Sequence, residues 1–159
     1  MNIEQRQFLE VVDRTPLVSI DLVIRNEKGQ VLLGYRLNRP AQHAWFVPGG
    51  RIRKNEPLQE ALHRIARNEV GIAPGPGRLI GAFDHLYPDN FAGEPGVSTH
   101  YVVLGYEFAL PAGAALTMDD QHSALRWWDV DALLASDEVH ANSKLYFRES
   151  PGNGLRVGA

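Results

Sequence analysis

The spacing of apolar and polar positions changes along the chain, and each change marks an element. Over residues 3–13 the apolar positions Ile3, Phe8, Leu9, Val11 and Val12 fit one face of a helix, which Pro16 ends. Residues 17–24 are rich in β-branched and aliphatic side chains and predict a strand. Asn26-Glu27-Lys28-Gly29 then supplies turn chemistry, and residues 31–37 predict a returning strand. Trp45-Phe46-Val47 predicts a short strand running into Pro48-Gly49-Gly50, and residues 57–70 a helix. Further strands are predicted over 79–87, 98–110 and 125–128, with a polar loop over 88–96 and helices near 130–135 and 138–148. The tail after Pro151 is expected to fray. Strands interleaved with helices predict an α/β fold, a mixed sheet with helices on its faces. No repeat or long linker divides the chain, so residues 1–159 are read as one domain.

The helix over 57–70 carries the most information. Asn55 suits an N-cap, Pro57 the first turn and Gly71 the C′ position. Leu58, Ala61, Leu62, Ile65 and Ala66 then follow the spacing of a buried stripe. The next place on that stripe holds Glu69, which at ~100° per residue points within ~20° of Leu58. A carboxylate on the core side is costly unless a cation or hydrogen bonds compensate it. Two readings stand at this point: a border residue reaching past the last turn or pairing with an arginine, or a metal ligand. Asp21, inside an otherwise apolar strand, poses the same question.

Composition narrows the classes of function. The 159 residues hold an ordinary 44% hydrophobic and 22% charged side chains, so a packed domain is expected. Cysteine is absent, which excludes disulfides, thiolate metal sites and cysteine nucleophiles and fits a cytoplasmic protein. No stretch approaches the ~18 apolar residues of a membrane span, and the start of the chain does not read as a secretory signal. A net charge of −3 gives no footprint for nucleic acid. A small anionic substrate would have to be held by local charges, with or without a metal ion.

Gly50, Glu56, Arg64, Glu69, Gly71 and Ile72, preceded by Pro48-Gly49, stand at the spacing of the Nudix signature, and the chain resembles that family. The resemblance implies the Nudix fold, a mixed β-sheet sandwiched between α-helices, and a hydrolase acting on a nucleoside diphosphate compound. Two signature carboxylates are missing: Ile65 stands after Arg64 and Asn68 before Glu69. With fewer hard oxygen ligands, one magnesium ion per subunit is expected rather than several, and manganese can substitute.

Stretches outside the signature resemble the GDP-mannose mannosyl hydrolase subgroup. They are Thr15-Pro16-Leu17-Val18-Ser19, Asn38-Arg39-Pro40-Ala41-Gln42, Thr99-His100-Tyr101-Val102-Val103-Leu104-Gly105, Leu133-Leu134-Ala135-Ser136-Asp137 and His140-Ala141-Asn142-Ser143. This likeness implies hydrolysis of GDP-α-mannose, and of GDP-glucose, by water attacking the anomeric carbon with inversion. It also implies a homodimer. A neutralised nucleoside diphosphate leaves without a protonating acid, unlike the leaving group of an ordinary inverting glycosidase.

The resemblance carries over magnesium ligands at Glu69, the Gly49 carbonyl and the Gln121 side chain. It makes His122 the general base, consistent with an imidazole that titrates near ~6.5. Arg36 and Arg51 are the phosphate and leaving-group candidates, because a guanidinium fork suits phosphate oxygens. Asp21 is expected to orient sugar hydroxyls or the base, and Tyr101 to bond phosphate or steady the transition state. Phe8 stacks on guanine or packs in the core. Arg64 is expected to pair with Glu56 or Glu60. His43, His63 and His140 read as surface residues; His85 and His100 lie beside the expected cleft and contact sugar or pack there. Two other readings stay open: a conventional Nudix pyrophosphatase attacking phosphorus, and an inactive nucleotide-binding module.

Overall fold

A computed structural model describes residues 1–111, 113–117, 122–148 and 154–157, with the backbone alone at Ile3, His122 and Ser123. The helices are α1 (Ile3–Arg14), α2 (Leu58–Val70), α3 (Val130–Ala135) and α4 (Ala141–Lys144), the last followed by a 3-10 turn at Leu145–Phe147. The strands are β1 (Leu17–Arg25), β2 (Val31–Arg36), β3 (Ala44–Phe46), β4 (Gly49–Arg51), β5 (Gly77–Tyr87), β6 (Thr99–Ala109), β7 (His122–Trp128) and β8 (Gly154–Arg156). They form a mixed sheet in the order β3-β2-β1-β6-β5-β8, with β4 also paired to β1 and β7 to β2. β1 and β6 run parallel and the other pairs antiparallel. No helix of the described residues is long and apolar enough to cross a membrane.

β1 is buried on both faces, which explains its nearly continuous apolar run. Successive side chains point to opposite faces. Ile20, Leu22 and Ile24 therefore enter the core under α2, with Ala61, Leu62, Ile65 and Val70. Val23 enters the opposite core with Phe83, Val103, Leu133, Leu145 and Tyr146. Asp21 shares the second face. The alternation thus places one acid among the aromatic side chains of the C-terminal elements.

Several expectations need correction. α2 starts at Leu58 with Pro57 in the N-cap place, while Asn55 takes a left-handed backbone (φ 64°) and does not cap. Gly71 does end the helix in the left-handed region (φ 73°). Leu58, expected on the buried stripe, is 58% exposed in the first turn, where the stripe has not yet reached the core; Glu69, at the other end, is 7% exposed.

The helix expected over 138–148 is broken. Val139 makes a β-bridge to Trp45, and the amide of His140 donates to the Trp45 carbonyl, so helix begins only at Ala141. Beyond Pro151, where fraying was expected, β8 pairs with β5. Strand β4, which the sequence did not predict, forms because Gly49 allows close approach to β1, while Gly50 leaves room for Ile65 of α2.

Candidate active site

A cleft of about 640 Å³ opens between α1, β1, the β2–β3 loop, β4 and the ends of β5 and β6. Phe8, Asp21, Arg36, Gly49, Arg51 and Tyr101, chosen from sequence, all line it. Glu69 does not; it lies on the buried face of α2. The backbone of His122 pairs with Arg36 across β2 and β7, next to a register shift, so β7 begins beside the cleft. Gln121 falls outside the described residues.

The floor is a hydrogen-bonded chain. The Tyr146 hydroxyl donates to Asp21 Oδ2 at 2.7 Å and lies 3.2 Å from His85 Nε2. Burial pushes the Asp21 carboxyl up to about 7, against the Tyr146 hydrogen bond and the Arg36 charge, which favour its ionised form. Burial lowers His85 to about 4, with nearby His140 adding to the shift. Burial likewise raises the Tyr146 hydroxyl, reinforced by the negative charge of Asp21. Asp21 also faces Gly49 across β1 and β4: a Cβ at position 49 would run into Asp21 Oδ1.

The rim is cationic. Arg36 donates from Nε to the Asn38 carbonyl at 3.0 Å, and its guanidinium lies 5.5 Å from the centre of the Phe46 ring. Arg51 is exposed, with its guanidinium 4.6 Å from the centre of Phe8. Phe8 in turn packs on Phe91 at 5.0 Å, so it is a rim residue rather than a core one. Tyr101 is raised by burial, while Arg36 and Arg51 pull it down.

Arg64 pairs with Glu56, not Glu60, through contacts of 2.6 and 2.8 Å, and also donates to the Arg51 carbonyl at 2.8 Å. The Arg64 hydrogen bond lowers Glu56 to about 2. This signature arginine therefore anchors the backbone from which the Arg51 side chain leaves.

His85 lines the cleft, whereas His100 pairs with exposed Asp84 at 2.9 Å. His140, read as a surface residue, is half-buried and stacks on Phe46 at 4.6 Å. Tyr146 and Tyr87 were missed. Their aromatic side chains resemble any core residue until folding brings their partners near.

Among the described residues no three His, Cys, Asp or Glu side chains gather as a metal cluster. Glu69 would supply one carboxylate; it stands a turn beyond Ile65 on the same stripe, and a Cβ at Gly50 would meet Ile65 Cγ1 at 3.2 Å. Ile65 is buried in the core, and Asn68 is exposed. A carboxylate together with a main-chain carbonyl would make a hard oxygen set, which fits magnesium or manganese better than a soft metal.

The NUDIX domain model matches residues 15–148. The chain is 47% identical over 116 residues, 73% of its own length and 72% of the relative's, to the low-salt glycan biosynthesis protein Agl8 of Haloferax volcanii. Its fold is similar to the crystal structure of a MutT protein from Methanosarcina mazei Go1 (TM-score 0.70, 24% identity, covering 84% of this chain and 92% of that one). It is also similar to that of a MutT NUDIX hydrolase from Burkholderia pseudomallei (TM-score 0.68, 25% identity, covering 84% and 96%). Nudix enzymes generally act with a divalent metal on nucleotide-derived small molecules, and the chain belongs to this family of hydrolases.

Proposed function

We propose that the protein hydrolyses GDP-α-mannose, and GDP-glucose beside it, to GDP and free sugar by attack of water at the anomeric carbon. The observation that carries this reading is Ile65. Where the signature has a carboxylate that serves attack on phosphorus, this helix has an apolar side chain, 1% exposed and packed beneath Gly50. A catalyst without that group is better suited to breaking the bond on the sugar side of the diphosphate. Similarity to a protein named for glycan biosynthesis supports a glycan-related role, with which a sugar nucleotide substrate is compatible.

Glu69, the Gly49 carbonyl and the Gln121 side chain would hold the divalent ion. When bound, it supplies Lewis-acid neutralisation of the diphosphate. Arg36 and Arg51, on one rim, receive the phosphates and stabilise the charge that grows as the C–O bond breaks. Tyr101 donates a hydrogen bond to a phosphate oxygen. Asp21 accepts from a sugar hydroxyl on the cleft floor. His122, at the start of β7, takes the proton from water as the water oxygen bonds to carbon and the diphosphate departs with the electron pair.

Hydrolysis of GDP-mannose in ¹⁸O-labelled water with magnesium tests the reading. Label in mannose, with GDP unlabelled, is the expected result. Label in GMP or mannose-1-phosphate means attack at phosphorus, and an intact substrate means that the protein does something else.

A further inference from the structure

The segment from Glu138 to Tyr146 binds the cleft from behind at successive points. The amide of Trp45 donates to the Glu138 carbonyl at 2.9 Å, and His140 stacks on Phe46. The Asn142 side chain lies beside that of Tyr87. The buried Ser143 hydroxyl accepts from the amide of Val47 at 3.0 Å. Phe46, Val47 and Tyr87 all line the cleft, and the last contact in the series is the bond from Tyr146 to Asp21.

Tyr146 is buried and closely packed. Its ring meets Phe83 edge-on at 4.8 Å and covers Gly105, the residue paired with Asp21 across β1 and β6. A Cβ at Gly105 would come within 2.9 Å of Tyr146 Cε1, so only glycine leaves room for the ring. Its single hydroxyl proton goes to Asp21 Oδ2, and the hydroxyl oxygen can accept from His85 Nε2–H. One carboxylate oxygen is thereby fixed, and Oδ1 is left over Gly49 at the cleft.

We propose that Tyr146 is a positioning residue that acts through Asp21, fixing one carboxylate oxygen so that the other meets a hydroxyl of the bound hexose. This rests on the GDP-hexose reading above. It gives the C-terminal segment, remote in sequence from the signature, a role in recognising the sugar rather than the nucleotide.

Tyr146→Phe removes the hydroxyl and keeps the ring, so packing on Phe83 survives. We expect kcat/KM for GDP-mannose to fall on the order of tenfold, as for loss of a hydrogen bond to a charged group. The Kd for GDP should stay within about twofold, since GDP has no hexose and so never meets the Asp21 contact. In an Asp21→Asn background the same change should cost less than about twofold, because the hydroxyl acts only through the carboxylate. Wild-type kinetics in Tyr146→Phe, fully additive losses in the double variant, or equal weakening of GDP binding would overturn the inference. A wild type that leaves GDP-hexoses intact overturns the functional reading and this inference together; an active wild type with an unaffected Tyr146→Phe overturns the inference alone.

Discussion

The rim and the floor of the cleft are built on opposite principles. On the rim, Arg51 is exposed and Arg36 half-buried, held by ring faces and one main-chain carbonyl. Such contacts are worth about 0.5–1 kcal/mol each and let a long side chain adjust. On the floor, Asp21, His85 and Tyr146 are largely shut off from water and joined by hydrogen bonds of 2.7 and 3.2 Å across three separate elements. The low local dielectric strengthens each of those bonds and penalises any that is lost. A charged, flexible diphosphate suits the first construction, and a sugar that must be held in one orientation suits the second.

The largest expected effect lies on the rim. Arg51→Lys keeps the charge but loses the planar fork, and kcat should fall by on the order of 10² or more, similar to loss of an oxyanion donor. A loss below about fivefold in steady-state assays would make Arg51 a surface cation with no transition-state contact. Phe8→Leu removes the ring under that guanidinium and should raise KM by roughly two- to fivefold with kcat nearly unchanged. A kcat loss as large as that of Arg51→Lys would show that Phe8 does more than support the arginine.

The smallest expected effect appears in stability rather than rate. Folded Asp21, pushed up to about 7, keeps a proton that the unfolded chain releases near 3.8; alone, it makes stability fall as pH rises between those values. His85 has the opposite sign. Held neutral down to about 4, it makes stability rise with pH from about 4 to 6.5. The two offset each other in the ligand-free, metal-free wild type. Thermal melts of Asp21→Asn should therefore climb by a few degrees from pH 4 to 6.5 while wild type changes less. Parallel melting profiles would mean that the floor does not carry these shifts.

How much of this was legible in the sequence depended on how local each cause is. β1 announced itself by a nearly continuous apolar run and α2 by its helical period, and Asp21 and Glu69 stood out as carboxylates interrupting them. Pairing across the molecule was harder to see. Tyr146 bonds a residue 125 positions away, and nothing in Leu145-Tyr146-Phe147 separates it from ordinary core packing. β4 consists of Gly49, Gly50 and Arg51, which offer no side-chain alternation to read; its existence follows from what the glycines leave out. The helix expected over 138–148 failed because Val139 and His140 are drawn into pairing with Trp45, a competition invisible to helical spacing. Arg64 is the intermediate case: a pair with Glu56 or Glu60 was readable, but its hold on the Arg51 carbonyl was not.

The tight crossing of β4 over β1 makes position 49 intolerant for two separate reasons. A methyl group there would strike the Asp21 carboxylate, but it would also come within 2.6 Å of the Ile20 carbonyl, which no change at residue 21 can withdraw. Compensating pairs of substitutions, the usual way a crowded contact drifts, are therefore closed to these two strands. Whatever residue stands at position 21, the glycine opposite it must stay.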